Sequence, residues 1–185
     1  MPRFLRQSLP DVILVEPDVH RDGRGFFLET WQRERYREGG IALEFVQDNH
    51  SRSAHGVLRG LHLQVAHPQG KLVRCVEGEI YDVAVDVRPE SPTFGQWSAT
   101  HLGADDFRQL WIPPRFAHGF CVVSPHAQFE YKCTDFYAPG DEVTLAWNEP
   151  ALAIPWPLAD PVLSEKDRRG LSLAEVRERL EGCAP

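Results

Sequence analysis

The segment KLVRCVEGEIYDVAVDVR, residues 71–88, decides the fold class because two strand-length runs meet within it at the pair Glu77-Gly78. Such a pair between two apolar runs is typical of a tight turn and predicts a β-hairpin. The second run alternates, with Tyr81, Val83, Val85 and Val87 separated by Asp82, Ala84 and Asp86. A period of two predicts a strand that buries one face.

Similar short runs extend in both directions, separated by glycine, proline and other turn residues. They are VILVEP (12–17), FFLETW (26–31), LEFVQDN (43–49), GVLRGLHLQ (56–64), FRQLWIPP (107–114), HGFCVVS (118–124) and AQFEYKCTDFY (127–137). Many short strands at regular spacing predict a mainly-β sandwich or barrel, and we favour a jelly-roll barrel. We expect one domain that covers residues 1–185.

Two segments predict short helices that flank the strands. QRERYREGG, residues 32–40, ends in two glycines, which commonly terminate a helix. LSLAEVRERL, residues 171–180, has Ser172 three residues before Glu175, the spacing of a capping box. We expect this C-terminal helix to serve packing rather than function.

Composition excludes several classes of function. The 185 residues carry a formal net charge of −7, which disfavours a nucleic-acid partner or an anionic membrane surface. The longest apolar run near the N-terminus is only Val12 to Val15, too short for a signal peptide or a membrane span. The four cysteines, Cys75, Cys121, Cys133 and Cys183, form no CxxC pair. These features predict a cytoplasmic protein with reduced thiols.

Arg59 and His62 are unexpected in the otherwise apolar run GVLRGLHLQ. Strict alternation would place them on opposite faces, with Arg59 outside and His62 as a hydrogen-bonded interior residue. Gly60 lies between them, and a glycine within a strand often marks a bulge that shifts the side-chain register by one. A bulge would bring both side chains to one face, at the mouth of the barrel.

Other predicted strands add polar groups that could join them. Gln47 and Asn49 share one face of their predicted strand, and Lys71 begins another strand. In a third strand, Tyr131 is on one face and Glu130 and Lys132 are on the other. Buried polar groups without partners are costly, so this many suggests a functional cavity. A cationic set suits a small anion such as a diphosphate. That set consists of Arg24, Arg59, Lys71 and His118.

Acid–base chemistry is the activity that this cavity favours. His62 is the candidate general base, since imidazole titrates closest to neutral pH, and Tyr131 is the candidate acid. A carboxylate should hold the histidine in one tautomer. Both Asp167 and Asp82 are candidates, and the sequence does not choose between them.

A metal site is the main alternative from the residues alone. Cupin barrels often bind a metal through an HxH pair, a carboxylate and a distant histidine, but here the pair reads His62-Leu63-Gln64. His67 and His118 keep the alternative open. No GxGxxG or GxxxxGK[ST] segment supports a dinucleotide or a P-loop nucleotide. We expect neither a metal nor any other cofactor.

Seven segments, read together, resemble the dTDP-4-dehydrorhamnose 3,5-epimerase family of cupin-like nucleotide-sugar enzymes. They are DGRGFFLETW, QDNHSRS, GVLRGLHLQ, PQGKLVRCVEGEIYDVAVDVRPESPTFGQW, QLWIPPRFAHGF, FEYKCTDFY and LSEKD, in family order from Asp22 to Asp167. The resemblance implies a metal-free homodimer in which His62 is the base, Tyr131 the acid and Asp167 the residue that orients His62. The substrate-binding positions that it implies are Arg24, Glu29, Gln47, Asn49, Arg59, Lys71, His118, Glu142 and Lys166, with Asp48 contributing backbone groups.

The resemblance also predicts the substrate, dTDP-4-keto-6-deoxy-D-glucose, inverted at C3 and C5 to give dTDP-4-keto-L-rhamnose. Two positions depart from the family pattern: Leu63 replaces a frequent aromatic residue, and Arg115 stands where many members have glycine. Since these changes could alter the shape of the pocket, the alternative is an enzyme that inverts C3 or C5 only, as relatives in antibiotic deoxysugar pathways do. A sugar-nucleotide binder without catalysis is a third alternative.

Overall fold

Two antiparallel sheets enclose a common interior in the computed structural model, which describes residues 1–182. The first sheet has the strand order β1-β2-β10-β7-β12-β5, and the second has the order β13-β6-β11-β8-β9. A separate hairpin, β3–β4, projects from them. The strands are β1 (Arg3–Arg6), β2 (Ile13–Glu16), β3 (Val19–Asp22), β4 (Gly25–Leu28), β5 (Gln47–Ala54), β6 (Leu58–Gln64), β7 (Lys71–Glu77), β8 (Glu79–Asp86), β9 (Trp97–Gly103), β10 (Gln109–Ile112), β11 (Phe116–Val122), β12 (His126–Cys133) and β13 (Glu142–Thr144). The mainly-β prediction is confirmed.

The predicted hairpin at Glu77-Gly78 is wrong. β7 pairs with β10 and β12 in the first sheet, whereas β8 pairs with β11 and β9 in the second. Gly78 has a φ of +77°, and a Cβ there would lie 2.1 Å from the carbonyl oxygen of His126. The glycine therefore allows a turn that carries the chain from one sheet to the other.

The prediction that β8 buries only one face is also wrong, because this strand is covered on both sides. Ile80 and Ala84 pack into the barrel interior, and Val83 and Val85 pack outward against the C-terminal segment. Asp82 and Asp86, which alternate with Tyr81, Val83 and Val85, are fully buried as well. A buried carboxylate needs partners, and these partners give Asp82 its role in the site.

Three α-helices lie outside the two sheets in residues 1–182. They are α1 (Arg33–Glu38), α2 (Glu165–Arg168) and α3 (Leu173–Glu181). Tyr36 of α1 packs over the first sheet in a cluster with Trp111, and Val176 and Leu180 of α3 pack over the second. The capping box predicted between Ser172 and Glu175 is present, which confirms the predicted helix start. Within residues 1–182, no helix is long and apolar enough to cross a membrane.

Candidate active site

A cavity of about 370 Å³ opens between the two sheets. It gathers nine of the side chains predicted from the sequence, which are Gln47, Asn49, Arg59, His62, Lys71, His118, Tyr131, Glu142 and Lys166. His62 and Arg59 come from β6 in the second sheet, whereas Tyr131 and Lys71 come from β12 and β7 in the first. The candidate base and acid therefore line one cavity from different sheets.

The bulge proposed at Gly60 accounts for the shared orientation of Arg59 and His62. On β11, His118 pairs with His62 and Phe120 pairs with Arg59, so the four residues 59–62 of β6 lie opposite only three residues of β11. Gly60 has a φ of +132°, and a Cβ on it would lie 2.5 Å from the Cα of Gly119. Only glycine fits this close contact, and the extra residue turns both side chains into the cavity.

His62 is held by Asp167, one of the two candidate carboxylates. Its Nε2 lies 2.6 Å from Asp167 Oδ1, and Asp167 is 3% exposed at the start of α2. Burial raises the pKa of Asp167, but hydrogen bonds from His62 and Ser164 outweigh this and leave it below its ordinary value. An ionised carboxylate can only accept, so Nε2 carries the hydrogen and Nδ1 is left as the basic atom.

Asp82, the other candidate, pairs with His118 instead. Its two oxygens lie 3.0 and 2.9 Å from His118 Nε2, and Asp82 is fully buried while His118 is 6% exposed. The two residues are cross-strand neighbours of the same sheet, since His118 pairs with Ala84 on β8. Each cavity histidine thus has its own carboxylate, which fixes its ring orientation.

Tyr131 and Lys71 supply the groups of the opposite wall. Burial, with the nearby Cys133 and Glu142, raises the pKa of Tyr131, so the phenol keeps its proton at neutral pH. Burial lowers the pKa of Lys71 despite neighbouring acidic groups. Among residues 1–182, no group forms a hydrogen bond or an ion pair with Lys71 Nζ, so the ammonium group is available to a ligand in the cavity.

Glu142 and Lys166 lie together at the cavity wall. Glu142 Oε2 accepts hydrogen bonds from Lys166 Nζ at 2.8 Å and from the Tyr137 hydroxyl at 3.1 Å. Its other oxygen, Oε1, lies 3.6 Å from His62 Nδ1. Burial raises the pKa of Glu142, but Lys166, His62 and Tyr137 together hold it below its ordinary value. Glu142 is therefore a carboxylate at neutral pH.

Three predicted binding residues do not line this cavity. Arg24 lies at the β3–β4 turn and pairs with Asp22, Glu29 pairs with Arg35, and Asp48 pairs with Lys132 on another part of the surface. The cationic set within one chain is accordingly Arg59, Lys71 and His118, joined by Lys166, and does not include Arg24.

The cavity also contains residues that were not selected from the sequence. These are Ser51, Gln69, Phe120, Phe129 and Tyr137. Gln69 and Tyr137 belong to loops, where no periodic pattern indicates which way a side chain points. For Phe120 and Phe129, the apolar sequence of their strands predicts ordinary core residues. Ser51 could have been found, since it follows Gln47 and Asn49 at the same spacing of two.

Neither departure from the family pattern reaches the cavity. Leu63 is 4% exposed and packs in the outer cluster beneath the C-terminal segment. Arg115, with a φ of +63°, lines a separate cleft with Arg88. The expectation that these two residues reshape the substrate pocket is therefore not supported, because their side chains lie elsewhere.

The metal alternative lacks a set of ligands that lie together. Within residues 1–182, no group of three or more histidine, cysteine, aspartate or glutamate side chains is close enough to hold an ion. His67 is 61% exposed and lies 3.7 Å from Asp135, away from the residues that line the cavity. Cys183 lies outside the described residues. The three histidines that the alternative needs are thus not gathered at one point.

Known proteins resemble this chain over nearly its whole length. A family model described as dTDP-4-dehydrorhamnose 3,5-epimerase matches residues 6–175. The dTDP-4-dehydrorhamnose 3,5-epimerase of Pseudomonas aeruginosa is 57% identical over 173 residues, which cover 92% of this chain and 96% of that protein.

Solved structures agree with this match. An epimerase from Legionella pneumophila, in complex with dTDP-4-keto-L-rhamnose, superimposes with a TM-score of 0.91 at 48% identity and covers 95% of this chain and 97% of its own. A dTDP-4-dehydrorhamnose 3,5-epimerase from Bacillus anthracis, with TDP and PPi bound, gives 0.90 at 42% identity and covers 93% and 99%. With its cupin-like barrel and a match across the chain, this protein is an isomerase that belongs to the dTDP-4-dehydrorhamnose 3,5-epimerase family.

Proposed function

We propose that the cavity inverts C3 and C5 of dTDP-4-keto-6-deoxy-D-glucose by moving protons between His62, the sugar and Tyr131. The observation that carries the proposal is the placement of an Asp167-held imidazole and a protonated phenol in the walls of one cavity. Both carbons are adjacent to the C4 carbonyl, so removal of either proton gives an enolate.

His62 acts as the base in each inversion. The hydrogen bond from Nε2 to Asp167 leaves the Nδ1 lone pair free to accept the proton of the sugar carbon. The buried Asp167 carboxylate then stabilises the imidazolium that forms. It also fixes the ring, so that the basic atom does not exchange places with Nε2.

Lys71 and Arg59 stabilise the enolate oxygen at C4. Lys71 has no partner among residues 1–182, and Arg59 uses Nε for Ser53 Oγ at 3.0 Å, which leaves its terminal amines for the ligand. Donors that are already oriented in a partly enclosed cavity stabilise developing charge more than water does. Tyr131 then returns a proton from the opposite wall and inverts the carbon.

Deuterium wash-in tests the proposal. Pure enzyme and dTDP-4-keto-6-deoxy-D-glucose in D₂O should give deuterium at both C3 and C5, read separately by NMR. Exchange at one carbon only would identify an enzyme that inverts a single centre. Absence of exchange at both carbons, with tight dTDP-sugar binding, would identify a binding protein and overturn the proposal. His62→Ala is the control and should abolish exchange.

We further propose that the active form is a homodimer that works in the cytoplasm. Support comes from β5, the last strand of its sheet, whose outer edge pairs with no other strand of residues 1–182. The projecting hairpin exposes 57% of Phe26 and 71% of Phe27, an apolar surface suited to contact with a second copy. Arg24 does not line the cavity of its own chain, although the family resemblance implies that it binds substrate. We therefore propose that it acts at the cavity of the other subunit. The buried free thiols of Cys75, Cys121 and Cys133 suit a reducing compartment.

Sedimentation equilibrium and subunit mixing test the dimer. The protein should sediment at twice the 21.0 kDa mass of the chain. If Arg24 acts in the partner's cavity, a mixture of Arg24→Ala and His62→Ala subunits should regain activity, because one mixed site carries both intact residues. A monomer, or a mixture no more active than its components, would contradict this arrangement.

A further inference from the structure

Inversion of two carbons in one binding event requires the acid and base to be reset between them. After the first inversion His62 carries an extra proton and the Tyr131 oxygen has lost one. The second inversion starts from neutral His62 and protonated Tyr131. While the sugar is still bound, Tyr131 must therefore take up a proton from solvent and His62 must lose one. This requirement rests on the proposed function, and it implies a path by which a proton can move from His62 Nδ1 to solvent.

Among residues 1–182, the carboxylates of Asp167 and Glu142 flank His62, and Glu142 is the one that connects it with the surface. Asp167 is 3% exposed, and its oxygens are occupied by His62 and by the Ser164 hydroxyl at 2.7 Å. Glu142 lies 3.6 Å from His62 Nδ1, the basic atom. A proton bound at Nδ1 faces Glu142 and not Asp167.

The other oxygen of Glu142 leads outward. It accepts hydrogen bonds from Tyr137, which is 50% exposed, and from Lys166, whose side chain is 49% exposed. Glu142 itself is 13% exposed. The chain His62–Glu142–Tyr137 therefore runs from the buried imidazole to groups that contact solvent.

We propose that Glu142 is the proton exit that resets His62 between the two inversions. The imidazolium N–H bond at Nδ1 breaks and the proton passes to Glu142 Oε1, which restores neutral imidazole and gives a carboxylic acid. That acid then releases the proton to solvent at the cavity mouth, which restores the carboxylate. The 3.6 Å gap is beyond a hydrogen bond, so the carboxylate must turn toward His62 for the transfer.

Glu142→Gln tests the exit because glutamine keeps the shape of the side chain and cannot relay the proton. Because Glu142 also lines the cavity and pairs with Lys166, we expect both inversions to slow, and the readout is therefore their ratio. The second inversion should fall further than the first, which starts from neutral His62 and does not need the exit. The fraction of product released after only one inversion should rise by about tenfold or more, measured by NMR of the sugar protons in D₂O. The matched control is Glu165→Gln, the same change at a side chain that is 81% exposed; it should leave the product ratio unchanged.

Chemical rescue separates proton relay from a binding role. In Glu142→Ala, added formate should restore the second inversion by about tenfold, whereas chloride at the same ionic strength should not. An unchanged ratio of singly to doubly inverted product in Glu142→Gln, or a higher KM as its only effect, would overturn the proposal. Failure of formate to rescue Glu142→Ala would overturn it as well. If wild-type enzyme exchanges neither carbon, the proposed function fails instead, which distinguishes the two.

Discussion

His62 and Asp167 are 105 residues apart in sequence, and their side chains are joined by a 2.6 Å hydrogen bond. β6 supplies the imidazole and the short helix α2 supplies the carboxylate, whose second oxygen accepts from Ser164 at 2.7 Å. This contact explains why the basic atom of His62 faces the cavity, and the first prediction follows from it.

Asp167→Asn should reduce the rate of deuterium exchange by about 10²–10⁴-fold, because the amide neither fixes the His62 tautomer nor stabilises the imidazolium. Exchange at C3 and C5 by NMR is the measurement. Ser164→Ala is the comparison, since it removes the second hydrogen bond but keeps the charge of Asp167 and should cost much less. Equal losses in the two variants would contradict the role given to the carboxylate.

Tyr131→Phe should slow the return of a proton to the sugar carbon more than the removal of a proton from it. The base remains intact, so exchange from the first carbon should persist within about tenfold of wild type, while inverted product falls by about 10²–10⁴-fold. Time courses of deuterium content and of inverted product give both rates. A variant in which both rates fall mildly and equally would rule out Tyr131 as the acid.

Lys71→Arg should change the alkaline side of the pH profile. Burial lowers the pKa of Lys71 below that of ordinary lysines, so the ammonium form that stabilises the enolate is lost at a lower pH than usual. Arginine stays charged throughout this range. The variant should have lower activity at neutral pH, but its kcat/KM should decline at higher pH than that of wild type; profiles that decline together would exclude Lys71 as the group responsible.

Gly60→Ala should damage both stability and activity, because the new methyl group would meet the backbone of Gly119 at 2.5 Å. We expect a loss of about 2–4 kcal/mol in the free energy of unfolding. The bulge that turns Arg59 and His62 inward would also be disturbed. Gly140→Ala is the matched control, since nothing lies within 4 Å of a Cβ there; urea unfolding and exchange assays of both variants provide the comparison.

Asp86 should make folding stability depend on acid pH. Burial raises its pKa, but Arg88, Ser91 and Thr93 together lower it to about 2. Because the folded-state pKa lies below the ordinary 3.8, the carboxylate contributes fully above pH 4 and loses its contribution as the pH falls toward 2, by roughly 2 kcal/mol. The stability difference between wild type and Asp86→Asn in urea unfolding should therefore shrink from pH 5 to pH 2. Parallel curves would exclude this titration.

Sequence patterns that span a few neighbouring residues predicted individual strands, turns and helix ends well. Turn residues indicated the strands, Ser172 and Glu175 gave the start of α3, and Gly60 gave the bulge, because each depends on neighbours in sequence. The path from β7 to β8 was not predicted, since a turn at Gly78 looks the same whether two strands pair or separate. Burial of both faces of β8 was missed for a similar reason, since alternation does not reveal a second layer of packing.

For the site as well, single residues could be predicted from the sequence, whereas their contacts with distant residues could not. Polar side chains within apolar strands could be recognised singly, and nine of them meet in the cavity. From the residues alone, the carboxylate partner of His62 stayed open between Asp82 and Asp167, and the family resemblance favoured Asp167. The structure places Asp167 beside His62 and Asp82 beside His118. Tyr137 was not selected, since a loop has no period that points its side chain inward.

The passage of the chain at Gly78 from one sheet to the other has a consequence for how the enzyme matures. Lys71 and Tyr131 belong to one wall and His62 to the other, so neither wall alone holds a working set of groups. Strands distant in sequence must meet before any turnover occurs, and such long-range pairing is slow. After dilution from urea, epimerase activity should therefore return only when the two sheets have come together. This return should be slower than the first recovery of β-structure.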